Sequence, residues 1–153
     1  MWTIVSALKS ELNPLFTYFP LLNKVPLNGG TLYRTEYLQL LRTGVGQEKT
    51  KQVLEAFLKD HHPDLVLNIG LAGSLTAEYE PGRIFYINEA LYEKTKTVIK
   101  LPKLSADIPF PAARLLTVNK AVTEAQTRNA LHKAFAADLV DMEAYYLAQR
   151  CSA

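Results

Sequence analysis

The sequence predicts an α/β domain in which helices cover a sheet, and three observations carry that prediction. Short apolar runs at residues 2–7 and 65–69, holding Thr3, Ile4, Val5, Val66 and Ile69, read as buried strands. Between them, residues 47–61 change period: Val53, Leu54, Phe57 and Leu58 share one helical face, and Glu48, Lys51, Glu55 and Lys59 the other. The second strand then runs straight into Gly70-Leu71-Ala72-Gly73-Ser74, so strand, helix, strand and glycine-rich loop follow one another as they do in α/β architectures.

The remaining elements follow in chain order. Ser10 and Glu11 are helix-start residues, and Pro14 and Pro20 keep that segment short. Asn28-Gly29-Gly30 is a turn signal leading into two β-rich stretches, 31–34 and 37–43, which suggest a meander closed by Gly44-Val45-Gly46. Pro63-Asp64 ends the long helix. Pro81-Gly82 makes a turn before a strand at 83–90, and the alternation of Lys with Thr, Val and Ile over 94–100 reads as an edge strand. Three prolines, 102, 109 and 111, mark residues 101–111 as an irregular loop. A strand at 113–118, a helix at 123–135, a brief strand around Leu139-Val140 and a helix at 143–150 complete the chain, without internal repeat or linker.

The 153 residues suit a single domain, 1–153, able to bury roughly 68–70% of its unfolded surface. Hydrophobic residues at 48% and charged residues at 21% place it among globular rather than disordered chains. With 17 Lys+Arg against 15 Asp+Glu scattered along the chain, no basic stripe points to nucleic acid. Cys151 has no intrachain partner, residues 1–11 lack the basic and apolar regions of a leader, and no run reaches the 18 apolar residues of a membrane span. The expectation is a soluble, cytoplasmic protein with no membrane or nucleic-acid partner.

Ligands of open α/β sheets gather outside the carboxyl ends of the strands. Three places qualify: the turn carrying Glu11, the loop 70–74, and Asp141-Met142-Glu143 before the last helix. Glycines at 70 and 73 permit close backbone approach to a polar ligand, or simply a tight turn. Glu11 and Glu143 suit either a site or the positive end of a helix dipole, and spacing alone leaves both readings open. Gly44 to Thr50 lacks the spacing of a phosphate-binding P-loop. His61-His62 fits helix-terminal carbonyls better than a metal, His132 reads as solvent-facing, Cys151 as a small buried hydrophobe, and Tyr145-Tyr146 as core or subunit contact.

Taken together, Ile4-Val5-Ser6-Ala7-Leu8-Lys9-Ser10-Glu11, Gly44-Val45-Gly46, Asn68-Ile69-Gly70-Leu71-Ala72-Gly73-Ser74, Gly82-Arg83-Ile84-Phe85 and Val140-Asp141-Met142-Glu143-Ala144 resemble the nucleoside phosphorylase and nucleosidase superfamily, most of all the methylthioadenosine/S-adenosylhomocysteine nucleosidases. The likeness runs in order over nearly the whole chain. It implies a three-layer α/β/α phosphorylase-like fold with a mixed central sheet. The family's final strand and helix, which bear a Ser-Asp acid that protonates the purine, have no counterpart in these residues, so the sheet is expected without them.

The resemblance also implies a chemistry, cleavage of an N-glycosidic bond in a purine nucleoside of the methylthioadenosine, adenosylhomocysteine or futalosine type. Glu11 would activate the nucleophile, Glu143 would hold the ribose and face its developing positive charge, Met142 would pack on the sugar, and Gly70, Leu71, Ala72 and Gly73 would complete the pocket. Related phosphorylases place an arginine where this chain has Asn68 and often a hydroxyl where it has Leu71, which favours water over phosphate as nucleophile, although Arg42 lies nearby in sequence. The family's base-stacking segment matches 117–122, where Ala121 replaces an aromatic ring. No metal or organic cofactor is implied, and a homodimer is the family's usual assembly. A phosphorylase, or a nucleoside-binding relative with impaired catalysis, is the alternative.

Overall fold

The structure, a computed structural model, describes residues 1–152 apart from Leu104 and Ala106. Its chain forms two compact units, Met1–Leu71 and Ala72–Ala153.

In the first unit, strands β1 (Trp2–Ser6), β2 (Asn23–Leu27), β3 (Gly30–Arg34), β4 (Leu38–Arg42) and β5 (Leu65–Asn68) form one sheet in the order β2-β3-β4-β1-β5. β1 runs parallel to β4 and β5, whereas β3 is antiparallel to β2 and β4. The parallel partners β4 and β5 require a crossover, and helix α3 (Gln47–Asp60) supplies it. As the periodicity predicts, Val53, Leu54 and Phe57 of α3 are buried. Two single-turn helices, α1 (Lys9–Leu12) and α2 (Leu15–Tyr18), follow β1. Leu12, Tyr33, Leu38 and Leu40 form a core to which Ile4, Phe16 and Ile69 add.

The sequence reading has no strand over β2, which carries Pro26. β2 is the edge of its sheet, where a missing N–H leaves no ladder bond unmade on a neighbour. The turn signal is read correctly: Asn28 and Gly29 both have positive φ, 44° and 88°, and form the two-residue loop that matches hairpin twist.

The second unit holds a further mixed sheet, β6-β10-β9-β7-β8, built from β6 (Gly73–Ser74), β7 (Tyr86–Tyr92), β8 (Val98–Lys100), β9 (Ala112–Thr117) and β10 (Leu139–Asp141). β7, β9 and β10 are parallel, and β6 and β8 pair antiparallel at the edges. Helix α4 (Ala125–Phe135) bridges β9 and β10, and α5 (Ala144–Cys151) follows β10. Leu75, Leu91, Leu116, Val118, Ala137 and Val140 form the main core cluster. The mixed α/β class of the sequence reading stands, its ten described strands divided between two five-stranded sheets.

Boundaries move where side chains have other work. β7 starts three residues later than the sequence suggests, since Arg83 lies over the rings of Tyr79 and Phe85 at 5.5 Å instead of entering the ladder. The edge strand is reduced to Val98–Lys100 by a tight turn in which Lys96, at φ 56°, donates its N–H to the Tyr92 carbonyl. Among the described residues of 101–111 there is no helix or strand, as the prolines predict.

Candidate active site

At the carboxyl edge of the first sheet, the ends of β4, β1 and β5 lie side by side, with Ser6 opposite Arg42 and Val5 opposite Asn68. β1 leaves the sheet through Ala7 and Leu8 and turns at once into α1. The chain is held there by backbone bonds: Thr43 N–H to the Ser6 carbonyl at 2.9 Å and Gly44 N–H to the Ala7 carbonyl at 3.0 Å.

Glu11 sits at the third position of α1. Its Oε2 accepts the N–H of Leu8, the residue before the helix, at 2.8 Å. This is one half of a capping box; the reciprocal bond is missing because leucine offers no acceptor. The Ser6 hydroxyl also donates to Oε2. Oε1 accepts the N–H of Leu71 at 2.9 Å, a contact that spans sixty residues of sequence. A Cβ at Gly70 would lie 3.3 Å from Oε1, so the carboxylate would have to give by a few tenths of an ångström. So Glu11, Gly70 and Leu71 are brought together, with the Leu71 side chain itself 82% exposed.

Asn68 ends β5 in an exposed position. Arg42, the nearby cation, donates to the Thr31 hydroxyl at 3.0 Å across the β3–β4 pair.

In the second unit, Ala72 is exposed and Gly73 pairs with Val140 in the β6–β10 ladder, where a Cβ would stand 3.1 Å from the Val140 side chain. Met142 packs against the main core cluster. Glu143 is the residue from which α5 starts, and its backbone is fixed by Asp141. Asp141 Oδ2 accepts the N–H groups of Glu143 at 3.1 Å and Ala144 at 2.6 Å, while Oδ1 accepts the Thr117 hydroxyl at 2.6 Å. Thr117 in turn accepts the N–H of Tyr145 at 2.9 Å. Burial pushes the Asp141 carboxyl up to about 6, against the pull of these hydrogen bonds.

A cavity of about 500 Å³ opens past the carboxyl ends of β7 and β9, lined among others by Lys94, Lys120, Ala121, Glu124 and Leu131. Residues 118–122, most of the segment expected to face a base, thus line it. Among the described residues, no group of three His, Cys, Asp or Glu side chains comes together to hold a metal. His61 behaves as a helix-terminal residue: Nδ1 lies 3.0 Å from the Phe57 carbonyl and Nε2 3.1 Å from Arg34, which assigns the ring proton to Nδ1. His132 is half-buried rather than solvent-facing, 2.7 Å from the Ala137 carbonyl. Cys151, expected to be buried, is exposed. Tyr145 and Tyr146 belong to a buried cluster with Tyr92.

Ser6, Asp141 and Thr117 carry the local geometry, and sequence reasoning assigned none of them that work. Ser6 reads as one more strand residue, and only the fold of α1 back toward β1 shows what its hydroxyl meets.

The sequence profile of the phosphorylase superfamily matches residues 3–106, a span that includes Glu11, Arg42 and the loop 70–73. The chain belongs to the phosphorylase superfamily. Solved structures agree on the fold. Futalosine hydrolase of Helicobacter pylori superposes with a TM-score of 0.87 at 15% identity, covering 99% of this chain and 78% of that one. The 5'-methylthioadenosine/S-adenosyl homocysteine nucleosidase of Campylobacter jejuni gives 0.87 at 17% identity, with 99% and 79% covered. The corresponding nucleosidase of Neisseria meningitidis, solved with methylthio-immucillin-A, gives 0.85 at 17%, again with 99% and 79% covered. No curated protein sequence matches the chain significantly. No helix among the described residues is long and apolar enough to cross a membrane.

Proposed function

We propose that this superfamily member is a purine nucleosidase that hydrolyses the N-glycosidic bond of a methylthioadenosine-, adenosylhomocysteine- or futalosine-type nucleoside. The observation that carries the reading is the setting of Glu11. Its carboxylate is held by donors from β1, from the start of α1 and from the loop after β5, at the sheet edge where α/β folds bind ligands. Oε2 has two donors. Oε1 has one, so a lone pair remains to accept a proton from water.

In the proposed reaction a water oxygen bonds to the anomeric carbon as the carbon–nitrogen bond breaks. The bond's electron pair leaves with the base, which takes up a proton from solvent, and Glu11 accepts the proton that the attacking water loses. Glu143 holds the ribose hydroxyls and faces the oxocarbenium-like charge, with Met142 against the sugar and Gly70, Leu71, Ala72 and Gly73 completing the pocket. Water is preferred to phosphate because Asn68 and Leu71 offer no guanidinium or hydroxyl, and Arg42 is engaged with Thr31. The position of Arg42 at the end of β4 is what keeps phosphorolysis as a second reading. By the same resemblance the protein is a cytoplasmic homodimer with 1–153 as one domain, which light scattering of the purified chain tests as to assembly.

The test is release of free base from methylthioadenosine, adenosylhomocysteine, inosine and futalosine, with and without phosphate. The expected outcome is release independent of phosphate, reduced about 10²–10⁴-fold by Glu11→Gln, the usual worth of a general base. Ligand-dependent stabilisation without release would leave a binding protein, and phosphate-dependent release a phosphorylase.

A further inference from the structure

Beyond the carboxylate itself, we propose that Ser6 is a positioning residue for Glu11: its hydroxyl fixes Oε2 and thereby makes Oε1 the oxygen that faces the nucleophilic water. This rests on the reading of Glu11 as the base.

Three features point to it. Ser6 is fully buried, and a buried hydroxyl must find an acceptor. Two are in reach, the Leu8 carbonyl at 3.3 Å and the Glu11 carboxylate, and the shorter, charge-assisted bond goes to Glu11. Among the described residues the other two donors to Glu11 are backbone N–H groups, of Leu8 and Leu71. Ser6 is thus the one side chain that orients this carboxylate.

The two oxygens consequently differ. A glutamate carboxyl turns freely about its last bond unless both oxygens are tied. Leu8 alone ties Oε2 by a bond that any capping glutamate makes. Adding the Ser6 hydroxyl fills both lone-pair directions of Oε2, so a water approaching the carboxylate finds its acceptor only at Oε1, beside the Leu71 N–H. Removing the hydroxyl leaves the carboxylate tied by the Leu8 and Leu71 N–H groups but frees a lone pair on Oε2, so water can be held at either oxygen, of which one is productive.

The experiment measures kcat and KM for base release in the wild type, Ser6→Ala and Ser6→Thr, with thermal melts of each and of Ser6→Ala combined with Glu11→Gln. Expected is a fall in kcat of roughly 10–100-fold in Ser6→Ala, the range of a hydrogen bond to a charged group, with KM within about twofold. Ser6→Thr, which keeps the hydroxyl, recovers most of it. The melts should show non-additivity between Ser6→Ala and Glu11→Gln, which reads the contact without reference to turnover. Unchanged kcat in Ser6→Ala, or equal losses in the Ala and Thr variants, overturns the inference while the nucleosidase reading stands. A wild type without turnover overturns the reading of Glu11 and this role with it, and additive melts then overturn the contact as well.

Discussion

Asp141 caps α5 beneath Glu143, the residue proposed to hold the ribose. Its carboxylate ties down the first N–H groups of α5 and so places Glu143, yet burial raises its titration from 3.8 to about 6. The folded chain therefore binds this proton more tightly than the unfolded chain. Between about pH 4 and pH 6 unfolding releases a proton, so the contribution of Asp141 to stability is largest below pH 4, falls as pH rises, and is level above pH 6, a change of about 3 kcal/mol. Asp141→Asn retains an oxygen for the N–H groups and cannot ionise. Urea unfolding at pH 4, 5.5 and 7 should show the variant gaining on the wild type by about 2 kcal/mol across that range; parallel pH profiles would mean that the carboxyl titrates normally. None of this is legible in sequence, where Asp-Met-Glu before a helix shows two acids and no means of telling which one is desolvated.

At the scale of elements, legibility follows length and period. α3 declares itself through fourteen residues of amphipathic pattern, whereas β6, with two residues, has no pattern to show and exists because β10 offers it an edge. The end of α4 illustrates an element closed by distant groups. Ala136 adopts a left-handed conformation at φ 48°, and Arg114, itself paired with Glu89 at 2.7 Å, donates to the carbonyls of Phe135 and Ala136. Glycine is the residue that this conformation favours, and alanine there carries a cost of about 1–2 kcal/mol. Ala136→Gly should therefore stabilise the protein by about 1 kcal/mol net of glycine's own entropy, raising Tm by about 2–4 °C. A lowered Tm would show that the Arg114 bonds depend on the alanine Cβ.

For the whole molecule, family membership is readable because five weak motifs keep their order, and the profile match over residues 3–106, which spans four of the five, bears the membership out. The choice of nucleophile is a different matter, because it rests on a few side chains at the end of one sheet. Asn68 is exposed at the tip of β5, and Arg42 is turned to Thr31. If anion binding fails for want of a guanidinium, restoring one should restore it: Asn68→Arg should gain saturable stabilisation by inorganic phosphate, about 2.7 kcal/mol at a hundredfold excess over the dissociation constant. The wild type, in phosphate and in chloride of equal ionic strength, should differ only by the small non-saturating effect of an excluded salt. Melting curves across a phosphate titration separate the two shapes. Saturable stabilisation of the wild type would instead mean that Arg42 leaves Thr31 for the anion, and phosphorolysis would then displace hydrolysis as the reading of this site.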